Sequence, residues 1–214
     1  MNQHANQRSG RVILLLIAGL PVTMILAATW LWYFVERGDI DIVGALGTAN
    51  SGEILANPIN IRTKPFTAND GTVASLDALE PKWTFMVLNS GEICDVTCNE
   101  LLYLTRQIRI AIGRDFHRIQ RIMVVDAPAK AIRIAAHGTD ADVTTSLADV
   151  MDSEHPDVRV WQASVEPVVP ARHVADSAWY LVDPSGWVMM RYASEVNYKD
   201  VIGDLKFLLK NSGG

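Results

Sequence analysis

The chain has 214 residues, 19 basic against 24 acidic side chains and a net charge of -5, which is enough length for one domain and an appendage. That balance, with no basic stripe to follow a phosphate backbone, excludes a nucleic-acid partner. Cysteine occurs only at positions 94 and 98, so there is no wider disulfide framework and the reactive chemistry is concentrated in one place.

In chain order, residues 1–11 carry Arg8 and Arg11 and no acid, and residues 12–35 read VILLLIAGLPVTMILAATWLWYFV without a charge. Those 24 residues exceed the ~20 that cross a bilayer core. A cleaved signal has an apolar stretch of only ~7–15 residues ending in small side chains, whereas here Ala27 and Ala28 are followed by TWLWYF. The pattern predicts an uncleaved transmembrane helix, with Pro21 tolerated inside it and Trp30, Trp32 and Tyr33 at the membrane interface. Basic residues before the span and the stretch Glu36-Arg37-Gly38-Asp39-Ile40-Asp41 after it place the tail in the cytoplasm. A single-pass protein of the inner (plasma) membrane is expected, with everything after the span in the periplasm.

Residues 36–57, rich in Gly, Ala, Asn and Ser, are expected to be a linker leading into an edge strand near Gly52, with the folded domain over 58–214. Strands and helices then alternate, which predicts an α/β fold with a central mixed sheet flanked by helices. The apolar run 83–88 suits a buried central strand, and 119–125 a second one. Between them a helix is expected to start near Cys94 to Cys98, carrying Leu101, Leu104, Ile108 and Ile112 at helical spacing and ending at Gly113. A short helix over 143–151, a strand over 158–161, a hairpin turning at Asp183-Pro184-Ser185-Gly186 and a closing amphipathic helix over 198–210 follow. Asp183 reads as the side chain that initiates the turn. Trp179 and Trp187 on the hairpin read as core, and His117, His137 and His155 as surface positions.

The two cysteines, in Ile93-Cys94-Asp95-Val96-Thr97-Cys98-Asn99-Glu100-Leu101, can form a disulfide, hold a soft metal as two thiolates or exchange with partner thiols. Two thiolates are too few for structural zinc, which takes four ligands, but suit Cu(I). A helix N-terminus favours thiolate, with Cys94 expected as the exposed attacking sulfur and Cys98 as the resolving one. Glu92 and Asp95 oppose that activation. No nucleophile-base-acid triad, phosphate loop or paired catalytic carboxylates accompany them. Gly91, three residues before Cys94, lacks the hydroxyl that a peroxidatic site uses there.

A C-x-x-x-C pair at a strand-to-helix junction, after the lead-in Gly71-x-x-x-Ser75-Leu76-x-x-Leu79-x-x-Lys82-Trp83 and before the Tyr180-Leu-Val-Asp-Pro-Ser-Gly186 hairpin, resembles the Sco/SenC family over about residues 73–210. Cys94-Asp-Val-Thr-Cys98-Asn-Glu-Leu stands close to that family's C-P-D-V-C-P-E-E-L, without its two prolines. The resemblance implies a thioredoxin-like fold behind one transmembrane helix and a role in cytochrome c oxidase assembly. It also implies Cu(I) as the ion handled, an oxidase subunit or copper chaperone as partner, and a third copper ligand just before the hairpin. That family position falls near Ala175, and the nearest histidine is His173, which makes Cys94, Cys98 and His173 the implied metal set. Three uses follow for the pair: copper carrier, thiol-disulfide oxidoreductase serving a copper-site partner, or a structural disulfide in a docking scaffold.

Overall fold

The computed structural model describes residues 3–36, 50–135, 144–163, 168–169 and 177–212. The chain divides into two compact units, Met1–Ala49 and Asn50–Gly214. The first holds one helix, α1 (Gln3–Glu36), 34 residues long with Pro21 inside it. Among the described residues no helix is long and apolar enough to cross a membrane.

The second unit is built on a mixed eight-stranded sheet. Its strands are β1 (Glu53–Asn60), β2 (Phe66–Ala68), β3 (Val73–Ala74), β4 (Trp83–Asn89), β6 (Ile119–Val125), β9 (Val158–Gln162), β10 (Ala178–Val182) and β11 (Trp187–Ala193). They run in the order β1-β11-β10-β4-β6-β9-β2-β3. A smaller sheet joins β5 (Ile93–Cys94), β7 (Arg133–Ala135) and β8 (Thr144–Ser146). Three helices complete the unit: α2 (Val96–Ala111), α3 (Leu147–Glu154) and α4 (Tyr198–Asn211). β1 begins inside the stretch read from sequence as a linker.

The centre of the sheet is where the apolar runs lead. β4 and β6 pair in parallel from Trp83 opposite Ile119 to Asn89 opposite Val125, with α2 as the crossover, and β6 pairs in parallel with β9. β10 and β11 add the antiparallel hairpin. Alternate residues of β4 serve different faces, as a pleated strand requires. Phe85 and Val87 pack with Trp179, Leu181, Leu102 and Leu205 on the helix side. Met86 packs with Ile122, Tyr180 and Val188 on the other, under Leu55, Phe66 and Leu76.

The hairpin turn follows its chemistry: the Asp183 carboxylate accepts from the Trp187 N–H at 2.8 Å, and Gly186 takes φ 87°. Gly186 also lies against the preceding loop, its carbonyl accepting from the Ile61 N–H at 2.8 Å. A Cβ there would sit 2.5 Å from that of Arg62. Gly186→Ala combines a left-handed backbone with a clash and is expected to cost about 2 kcal/mol, read as a lowered thermal midpoint. An unchanged midpoint would mean that the loop yields freely.

Candidate thiol site

Cys94 ends β5, whose backbone is held by β7: Cys94 is in parallel register with Ile134, and the Glu92 carbonyl accepts from the Arg133 N–H at 2.8 Å. Before it the chain turns at Gly91, φ 109°, whose N–H donates to the Asp126 carboxylate at 2.8 Å. That left-handed position explains why a glycine stands there in place of a hydroxyl residue. Cys98 lies in the first turn of α2, bonded to Cys94 as a disulfide with the Cα atoms 5.3 Å apart.

Asp95 between them is the helix N-cap. Its side chain accepts from the Cys98 N–H at 2.8 Å, and its carbonyl accepts from Asn99 N–H at 3.0 Å. The cap thus takes one of the amides that would otherwise stabilise a thiolate, and sets a carboxylate beside the sulfurs. The buried Asn99 amide donates to the Ala135 carbonyl at 2.7 Å, fastening α2 to the small sheet that carries Cys94. Asp95→Ala is expected to cost about 1 kcal/mol in unfolding free energy and Asp95→Asn only a few tenths, because Asn caps equally well. Equal losses in chemical denaturation would show that charge matters here more than capping.

Burial departs from the expectation of an exposed attacking sulfur at Cys94. Cys94 is 0% exposed and Cys98 8%, so both sulfurs belong to the core of the unit. The reason is β5, which pairs Cys94 edge to edge with β7 and turns it into the helix-side core, while the N-cap position nearer the surface is occupied by Asp95.

His173, with Ala175 and Asp176, lies outside the described residues, as does His137. Among the described residues no group of three or more His, Cys, Asp or Glu side chains could hold a metal ion. His117 is exposed, its Nδ1 2.9 Å from the Arg114 carbonyl. His155 is buried, contrary to the surface position expected for it: it is the C-cap of α3, its N–H donating to Met151 and its carbonyl accepting from Val158. Trp179 is core as expected, whereas Trp187 is exposed on the hairpin. The cap and tether roles of Asp95 and Asn99 were not read from sequence. An Asp directly before a helical run was the available signal for the first.

The sheet order, the parallel β4-α2-β6 crossover and a cysteine pair at its helix N-terminus are the frame of a thioredoxin-like domain. A family model described as the transmembrane-like, thioredoxin-like C-terminal domain matches residues 83–212. The chain belongs to that family.

Within it, this thioredoxin-like domain shares its fold with solved Sco proteins. Apo Sco1 of Thermus thermophilus is 15% identical over 74% of this chain and 96% of its own, with a TM-score of 0.51. Copper-bound ScoI of Arabidopsis thaliana is 14% identical over 72% of this chain and 97% of its own, with a TM-score of 0.50. The Sco/SenC resemblance read from the cysteine and hairpin motifs thus holds at the level of fold. No curated protein matches the chain in sequence.

Proposed function

We propose that the chain is a membrane-anchored thioredoxin-like factor of cytochrome c oxidase assembly that handles Cu(I), or the thiol redox state of a copper-site partner, through Cys94 and Cys98. The observation that carries this reading is the position of the pair, joined to each other at the strand-to-helix junction of a thioredoxin-like sheet. Once reduced, two soft thiolates with Cα atoms 5.3 Å apart suit Cu(I) as cargo, and His173 is the third ligand proposed from sequence. A Sco relative of the same fold is described with copper bound.

In the redox arm, one thiolate of the reduced pair attacks a partner disulfide. The other cysteine then displaces the mixed disulfide, leaving the partner as a dithiol and Cys94–Cys98 closed. An upstream dithiol supplies the two electrons that reopen it. The chain is then a thiol-disulfide oxidoreductase, and its partner an oxidase subunit or copper chaperone.

The proposed plan is a cytoplasmic tail 1–11, a span 12–35, a linker that ends before β1 rather than at residue 57, and then the thioredoxin-like domain, across the inner membrane. Its support is the uncharged stretch of 24 residues inside the single helix α1, ~36 Å long at ~1.5 Å per residue against a core of ~30 Å. Leu15, Leu16, Ile17 and Leu26 along it are exposed.

A second reading, a docking scaffold with a structural bridge, is favoured by the burial of both cysteines. Titrating Cu(I) into the reduced full chain without oxygen, against a chromophoric chelator, separates the readings. A copper carrier binds stoichiometrically and loses binding in Cys94→Ser and in Cys98→Ser, and His173→Ala weakens it. No copper binding with measurable thiol exchange leaves the redox arm, and neither activity leaves the scaffold.

A further inference from the structure

The helix side of the sheet carries a surface that the thiol site does not use. α2 and α4 lie alongside each other, with two cavities along their seam. One, of about 570 Å³, is lined by Glu100, Tyr103, Leu104 and Gln107 of α2 with Ser194 and Tyr198 beside and on α4, and Glu100 is its acid. The other, of about 630 Å³, lies at the C-terminal ends of both helices among Arg114, Arg118, Lys206 and Lys210, with Asp115 as its acid.

Apolar groups stand out from this face. Tyr103 and Ile110 lie two turns apart on α2, and Phe207, 65% exposed, projects from α4, while Tyr198 is exposed at the first residue of that helix, half a turn round from Phe207. Phe116 stands exposed in the 3-10 turn Gly113–Arg118 beneath the Arg109 guanidinium, which sits 5.2 Å from its ring centre. Arg118 is turned inward, donating to the Leu209 and Ser212 carbonyls at 2.7 Å, and so offsets the negative C-terminal end of α4. That leaves Arg114, Lys206 and Lys210 for an outside anion. Asp115 is 3.8 Å from Arg114, and Glu100 and Asp200 lie toward the opposite end of the two helices. A chain of net charge -5 thus presents a locally basic area at the C-terminal ends of α2 and α4, with the exposed rings of Phe116 and Phe207 in the same stretches of chain.

Tyrosine and phenylalanine beside long basic side chains are the chemistry of a bilayer interface: rings settle at headgroup level while ammonium groups meet lipid phosphates. A protein groove would bury its rings in a closed hydrophobic centre with the charges at its rim, whereas here the rings project and the charges share one end. We propose that the α2–α4 face of the thioredoxin-like unit docks on an anionic phospholipid bilayer. This rests on the anchor proposed above. Residues 37–49 connect the helix to the compact unit, and 13 residues reach at most ~45 Å even fully extended. An anchored domain therefore stays within reach of the surface.

The full chain in lipid nanodiscs, of phosphatidylglycerol or of phosphatidylcholine, reads the contact by backbone hydrogen exchange. Slower exchange over 103–116 and 198–210 is expected on phosphatidylglycerol only. Each neutralisation, Lys206→Gln or Lys210→Gln, is expected to weaken that contact about fivefold, and Phe207→Ser to weaken it further without changing exchange in the sheet. Equal exchange on the two lipids, or protection indifferent to these substitutions, overturns the proposal and assigns the face to a protein partner. Failure of the chain to enter nanodiscs at all overturns the anchor instead. The face is then read by sedimentation of the full chain with phosphatidylglycerol vesicles: salt-sensitive binding upholds it, and no binding at low salt rejects it.

Discussion

Asp157→Ala is expected to lower the unfolding free energy of the thioredoxin-like unit by about 2–3 kcal/mol, the cost of leaving the buried Arg121 without its carboxylate, discounted because Asp157 itself is 31% exposed. Arg121 stands in the middle of β6, its side chain only 2% exposed, and binds Asp157 at 3.1 Å. It also donates to the Leu102 carbonyl and to Thr105 Oγ1 on α2. Asp157, immediately before β9, holds Arg109 as well at 3.2 Å. One carboxylate therefore balances two guanidinium groups and fixes α2 to the sheet. Burial lowers the Arg121 pKa to about 10 even with Asp157 present. Removing the carboxylate leaves a charge in the core facing Arg109, with neutral acceptors only. Urea unfolding gives the measurement. Because the penalty comes from the orphaned charge, Asp157→Ala combined with Arg121→Met should recover more than half of the loss. A single-variant loss below about 1 kcal/mol would mean that water reaches Arg121.

Trp179→Ala is expected to cost about 3–5 kcal/mol, and Trp179→Phe no more than about 1.5 kcal/mol. Trp179 is fully buried on β10, stacked on Tyr192 at 4.4 Å between ring centres and tilted against Phe85 at 4.9 Å. Its indole N–H has no acceptor among the described residues. Phenylalanine keeps most of the ring contact and forfeits no hydrogen bond, whereas alanine opens a cavity next to Tyr192. That phenol in turn donates to the Asp204 carboxylate at 3.2 Å, which also accepts from the Ser51 and Gly52 N–H groups at the start of β1. Burial and the neighbouring carboxylate both push the Tyr192 pKa up, so it stays a donor. If Trp179→Phe proved as costly as Trp179→Ala, the indole N–H would have to be making a bond.

What the sequence made legible was whatever repeats with a period. β4 and β6 announced themselves as continuous apolar runs, α2 by leucines and isoleucines at helical spacing closed by Gly113, and the β10–β11 hairpin by its Asp-Pro-Ser-Gly turn. β5, β7 and β8 did not, because strands of two or three residues show no alternation and exist only through pairing with one another. That small sheet decides the site: it buries Cys94, which sequence placement before a helix had exposed. Arg121 was read as one position in a buried strand, although a buried guanidinium demands a partner, and Asp157 lies too far along the chain to be paired with it by spacing. His155 read as surface because a lone histidine in a polar segment gives no sign that it closes a helix inward.

The reversibility of the Cys94–Cys98 bond is the direct test of the proposed chemistry. The full chain, equilibrated in thiol redox buffers and trapped by alkylation, reports the reduced fraction by mass while tryptophan fluorescence reports the fold. A working pair is half reduced at a potential above about -300 mV with the fold intact. A bond that stays closed below that potential, or opens only as the chain unfolds, would mark a structural bridge and contradict both the copper and the redox roles.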